Sequence, residues 1–284
     1  MKKILCLIAS AVLAAGVISG CSSSSKGPET SKEPVQEDED TQQTELIVFA
    51  AASMTDTMNE IAEMYKAVEP DVNIVYNFDS SGTLKTQIQE GADCDIFISA
   101  AQKQMNQLDA AQDAEANPEK LDFVDTDTRF NLVSNSVVLI TPVGNPADVK
   151  SFDDVATEKV SLIALGNSDV PVGQYSEEIF TYMGVWDQLN SEQKITFGTN
   201  VREVLAQVEE GGVDCGIVYS TDAATTDKVE IAAAAPDGSH KAITYPAAVL
   251  KTSKNPDAAK AFIDYLKTDD CTAVFEDAGF ISAK

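Results

Sequence analysis

Histidine occurs once in this 284-residue chain, at His240, and tryptophan also occurs only once. A single imidazole is poor material for a zinc site or a Ser-His-Asp triad. Basic residues are scarce too: 20 lysines and arginines stand against 46 aspartates and glutamates, a net charge of −26. A chain this acidic repels phosphate backbones, which argues against nucleic acid as a partner. The cysteines match no CxxC or zinc spacing, so Cys94, Cys215 and Cys271 read as small buried apolar residues.

What is present begins with an export signal. Met1-Lys2-Lys3 precedes an apolar run from Ile4 to Ile18 and the small pair Ser19-Gly20, the layout of a secretory signal over 1–20. Ile18-Ser19-Gly20-Cys21 resembles a bacterial lipobox, which implies that Cys21 is lipidated and holds the mature protein at the outer surface of the cell membrane; an ordinary signal cut nearby is the alternative. Residues 21–44 then read as a disordered tether, rich in serine and carrying the acidic run Glu37-Asp38-Glu39-Asp40, with only Val35 to bury. Removal of Lys2 and Lys3 with the signal leaves 18 basic against 46 acidic residues, a net charge of −28. Any anionic ligand must therefore be held by local dipoles in a short-range, desolvated site.

The remaining 240 or so residues alternate between strand and helix patterns. Strands are expected at 46–51, 72–78, 94–99, 131–141, 160–165, 195–198, 214–219, 229–234 and 243–251. Helices are expected at 54–68, 83–90, 102–110, 173–184, 201–210, 220–226, 255–267 and 270–278, with a short one near 151–156 and a polar stretch through Pro118. This alternation argues an α/β protein with mostly parallel sheets whose ligands gather at the carboxyl ends of the strands. An internal echo supports two similar lobes: Asp93-Cys94-Asp95-Ile96-Phe97-Ile98-Ser99 and Asp214-Cys215-Gly216-Ile217-Val218-Tyr219-Ser220 each follow a helix and a glycine stop.

Four junctions share one form, a strand end running through small or polar residues into a helix. They are Ala52-Ser53, Ser80-Ser81-Gly82-Thr83, Val170-Pro171-Val172-Gly173 and Gly198-Thr199-Asn200-Val201. The first N–H groups of a helix lack partners inside it, and its dipole places about half a positive charge there. Four converging starts would offer about +2, enough for a dianion without lysine or arginine. Gly82 lets a ligand approach the backbone, and at Pro171, which has no N–H, the next donor is Val172.

These junctions, with Phe49-Ala50-Ala51-Ala52-Ser53, Asn200-Val201-Arg202 and Gly216-Ile217-Val218-Tyr219, resemble the periplasmic molybdate-binding proteins of molybdate ABC transporters, in the family's order from about residue 45 to the C-terminus. The resemblance implies a two-lobed periplasmic-binding-protein fold of type II, each lobe a mixed, mostly parallel sheet flanked by helices. Lobe 1 would comprise 45–132 and 244–284, and lobe 2 would comprise 133–243. It implies that Ser53 and Ser81 give hydroxyl and backbone donors, Val172 and Val201 backbone N–H groups, and Tyr219 a phenolic O–H. The ligand would be molybdate, with tungstate of nearly the same shape and charge, and the protein a monomeric, non-enzymatic receptor without cofactor that hands its ligand to a membrane permease.

Two other readings stay open at this level. A receptor for a different oxyanion, sulfate or phosphate, uses the same donors; phosphate brings a proton that needs an acceptor, and Asp79, two residues before Ser81, supplies a carboxylate unless it is only a turn residue facing water. A surface serine hydrolase built on Ser53 or Ser81 lacks a Gly-x-Ser-x-Gly elbow and a well-placed histidine. Arg202 reads as solvent-facing, and the Asp125/Asp127 pair as a solvated turn rather than a calcium loop.

Overall fold

The computed structural model describes residues 43–283. The signal at 1–20, the lipid site at Cys21 and the tether up to residue 42 lie outside the described residues. Thr44, assigned to the tether, is already the first residue of strand β1 (Thr44–Ala51).

Leu46, Val48 and Ala50 of β1 face the main core, whereas Phe49 and Ile47 face a second cluster with Leu84, Ile88, Phe97 and Met105. A strand buried on both sides needs apolar residues at every position, hence its unbroken run. After β1 come a single 3-10 turn, Ala52–Met54, and helix α1 (Thr55–Tyr65), then β2 (Val72–Asp79), α2 (Ser81–Gln89), β3 (Ile96–Ile98) and α3 (Gln102–Gln107). The middle of the chain gives β4 (Phe130–Ser134), β5 (Val137–Pro142), β6 (Ile163–Gly166), α4 (Pro171–Tyr182), α5 (Trp186–Ser191), β7 (Ile195–Gly198), α6 (Val201–Glu209), β8 (Cys215–Tyr219), α7 (Ser220–Ala223) and β9 (Val229–Ala234). The chain closes with β10 (Thr244–Val249), α8 (Pro256–Leu266), α9 (Asp269–Asp277) and β11 (Ile281–Ser282).

These strands form two mixed sheets, in the orders β11-β4-β10-β3-β1-β2 and β7-β6-β8-β5-β9. Parallel pairing is confined to the strands flanking β1 and β6; β10 and β5, which enter after the chain has crossed from the other sheet, run antiparallel to β3 and β8. The sheets are therefore less parallel than strict alternation suggests. The series β4-β10-β3-β1-β2 and β9-β5-β8-β6-β7 match in pairing sense at every step. The echoed segments fall in the same slot, as β3 and β8. Asp95 accepts from the Ile47 N–H, and Asp214 from the N–H groups of Ser161 and Leu162, so Asp95 rather than Asp93 is the counterpart of Asp214.

One expected strand, 131–141, is two. β4 belongs to the first sheet and β5 to the second, and the chain changes sheets at Asn135-Ser136. Asn135 is buried, and its Oδ1 accepts the N–H of Ser136 at 2.8 Å, so its side chain takes up a backbone donor that leaves the ladder. Helix α5, held by the buried Leu189, and the two-residue β11 have no counterpart among the expected elements; both are too short to show a period.

Candidate functional site

The four junctions lie at the carboxyl ends of β1, β2, β6 and β7, and residues from all of them meet around one small cavity. Ser53, Ser81, Val172, Val201 and Tyr219 all line it, and each is buried. Asp79, Ser80, Ala100, Val170 and Pro171 complete much of the wall; no lysine or arginine lines it.

Each wall is positioned by its own sequence. Ala50-Ala51-Ala52 are small enough for β1 to pass into the 3-10 turn that carries Ser53. Ser80 caps α2 by accepting the Thr83 N–H at 3.1 Å, so the helix starts at Ser81, two residues before the expected position, and the N–H groups of Ser81 and Gly82 have no acceptor within it. Pro171 opens α4, the N–H groups of Gly173 and Gln174 go to the Val170 carbonyl, and the Val172 N–H is left at the first turn. A Cβ on Gly173 would lie 2.2 Å from the Gly166 carbonyl oxygen, so only glycine lets α4 start this close to the end of β6. Asn200 caps α6 through the Glu203 N–H at 3.1 Å, leaving the first turn's Val201 N–H.

The hydroxyls have defined roles. Ser81 Oγ accepts the backbone N–H of Ala100 at 2.9 Å, which leaves its own hydrogen to donate. Ser53 Oγ lies 2.9 Å from the hydroxyl of Tyr245. Tyr219 is fully buried and its hydroxyl has no hydrogen-bond partner of normal geometry, an arrangement that costs free energy unless something else accepts the proton. Burial, and secondarily the neighbouring phenol of Tyr245, pushes the Tyr219 pKa well above its ordinary value, so it keeps its hydrogen. Apart from the Asp79 carboxylate, the cavity thus presents neutral donors at helix starts, a field suited to an oxygen-rich anion.

Asp79 lines the cavity half-buried, with Oδ1 accepting the Ser80 N–H at 2.7 Å. Arg202 does not simply face solvent: its Nη2 lies 2.8 Å from Asp56 Oδ2 and its Nε 2.9 Å from Oδ1 of the fully buried Asp222, the second contact being an ion pair without hydrogen-bond alignment. Tyr245 and Asn135, which contact Ser53 directly and through one another, were not expected; they carry no local motif. Ser53 and Ser81 bond a tyrosine and a backbone N–H rather than a base, and His240 bonds the Lys241 carbonyl. Asp125 pairs with Lys260, and no cluster of metal-ligating side chains occurs among the described residues. Cys94, Cys215 and Cys271 are buried and unpaired.

Residues 46–281 match the profile of the bacterial extracellular solute-binding proteins. The chain belongs to that family. As a solute-binding protein it is a receptor and not an enzyme. Among its relatives is YvgL of Bacillus subtilis, 35% identical over 99% of both chains, whose name assigns it provisionally to the ABC transporter substrate-binding lipoproteins. The molybdate-binding protein ModA of Escherichia coli is 39% identical, covering 83% of this solute-binding protein and 88% of its own length. The solved periplasmic molybdate-binding protein of Azotobacter vinelandii superposes with a TM-score of 0.71 over 84% of this chain and all of its own; at 22% identity it shows the fold. This likeness and the two helix-flanked sheets establish the α/β periplasmic-binding-protein architecture.

Proposed function

We propose that this protein captures molybdate, and tungstate about equally, between its two sheets and delivers it to an ABC transporter permease. The observation that carries this reading is the meeting of Ser53, Ser81, Val172, Val201 and Tyr219, drawn from both sheets, around one buried cavity of donors with an unpartnered Tyr219 hydroxyl. A buried dianion is very costly unless its oxygens are bonded, and each charge-assisted bond contributes roughly 1.5–3 kcal/mol, so several donors must converge. A cavity of donors favours an anion with no proton of its own, which fits molybdate and tungstate at neutral pH. The identity to ModA supports the choice of ligand. In this reading the two crossings between sheets, at Asn135-Ser136 and before β10, form the hinge of a clamshell whose closed form is the ligand-bearing one. With the crossing at Asn135-Ser136, lobe 1 is 45–135 with 244–284 and lobe 2 is 136–243. Cys21 carries the lipid anchor, as the name of YvgL favours, and the receptor acts outside the cell membrane as a monomer.

Phosphate is the competing ligand, because Asp79 sits in the wall and could accept its proton. A native mass spectrum of the protein purified from cells tests the choice. A retained molybdate or tungstate supports the reading; a retained phosphate, released by Asp79→Asn, rejects it.

A further inference from the structure

We infer that Asn135 and Tyr245 are positioning residues that hold the Ser53 hydroxyl as a donor toward the cavity. The inference rests on the oxyanion reading of the cavity and adds to it two residues that do not line it.

The direction of each bond follows from one backbone group. The N–H of Ser136 can only donate, and its acceptor at 2.8 Å fixes that end of the Asn135 amide as Oδ1; the Ser220 hydroxyl donates to the same oxygen at 3.1 Å. Asn135 Nδ2 therefore faces Thr221 Oγ1 at 2.9 Å and the Tyr245 oxygen at 3.3 Å, and donates to both. Tyr245 is fully buried, and burial, with the nearby Asp222 next, raises its pKa, so it keeps its single hydrogen. Its other partner of normal geometry is Ser53 Oγ at 2.9 Å, a pair in which either hydroxyl can donate; because Asn135 Nδ2 can only donate, we assign the phenol's hydrogen to Ser53. Ser53 then has one of its two lone pairs engaged and its own hydrogen free for the cavity that Ser53 lines.

Ser81 reaches the same state in one step, from the Ala100 N–H. Both serines are thus oriented as donors by chains that begin at a backbone N–H, one direct and one relayed through two side chains. Asn135 also sits where the chain passes from β4 to β5, and it ties α7 of the second sheet to Tyr245 of the first. The polarity of Ser53 is therefore set only when the strands of both sheets are correctly placed.

The test is a double-mutant cycle on the full chain purified in detergent, read by titration calorimetry with molybdate. Tyr245→Phe is expected to weaken molybdate binding about tenfold where Ser53 is present and less than about twofold in the Ser53→Ala background. Asn135→Asp keeps the Tyr245 ring but replaces the donor by an acceptor, so it reverses the relay and is expected to give the same pattern. Equal losses in both backgrounds mean that Tyr245 only supports the fold and overturn the inference. Wild-type protein that binds no tetrahedral oxyanion, or sulfate in place of molybdate, overturns the functional reading itself; in the sulfate case the same cycle, read with sulfate, still decides the inference.

Discussion

A methyl group on Gly82 would sit 2.2 Å from the carbonyl oxygen of Asp169. Gly82 is in the first turn of α2, which follows β2 of the first sheet, and Asp169 precedes α4, which follows β6 of the second. The two halves of the cavity therefore touch backbone to side-chain-free backbone beside Ser81. Gly82→Ala is expected to leave the unliganded protein folded, with a melting temperature near wild type, but to weaken molybdate binding by about 1–3 kcal/mol by overpacking this contact. Calorimetry reads the loss, and small-angle scattering is expected to show that molybdate no longer compacts the variant as it does the wild type.

Ser81→Ala removes a donor and also orphans the buried N–H of Ala100. Binding is expected to fall by about 1–3 kcal/mol, and stability by a further amount of about 1 kcal/mol that persists without ligand. Urea titrations with and without molybdate separate the two effects.

Much of this cavity is legible in the sequence because each donor sits at a local signature. Ser80-Ser81-Gly82 announces a cap and a close approach, and Val170-Pro171-Val172 announces a helix start with its first donor removed. Asn135 and Tyr245 escape such a reading, since they lie 110 residues apart and meet only through the crossing of the sheets. The same crossing hides in the apolar stretch 131–141, where Asn135-Ser136 is too small an interruption to mark a change of sheet. Arg202 looks solvent-facing from its acidic neighbours on α6; its partners Asp56 and Asp222 come from α1 and α7.

Asp222 gives a pH dependence of known sign. Burial outweighs the Arg202 guanidinium and raises its pKa from 3.8 to about 7. A carboxyl whose pKa is raised on folding binds its proton more tightly in the native state, so the stability it contributes is full at acidic pH and is lost as pH rises toward 7. Other groups titrate too, so the difference from Asp222→Asn isolates the effect. Relative to that variant, wild type is expected to lose about 4 kcal/mol between pH 4 and pH 8, measured by urea denaturation. A flat difference would contradict the buried, protonatable carboxyl.

Asp109 behaves in the opposite sense. It is fully buried, yet hydrogen bonds from the Ala111 N–H, Arg129 and Thr126 overcome the burial penalty and lower its pKa. Its Oδ2 lies 2.7 Å from Arg129 Nη1. Arg129→Met leaves that carboxylate uncompensated and is expected to cost about 3–5 kcal/mol of stability, with molybdate affinity unchanged where the protein remains folded.

The most direct measurement is titration calorimetry of ligand-free protein with molybdate, sulfate and phosphate in turn. A cage of neutral hydrogens drawn from both sheets predicts tight, one-to-one molybdate binding that Ser53→Ala, Ser81→Ala and Tyr219→Phe each weaken, with phosphate bound poorly. Tight phosphate or sulfate binding with none to molybdate, or molybdate binding that all three variants leave untouched, would contradict it.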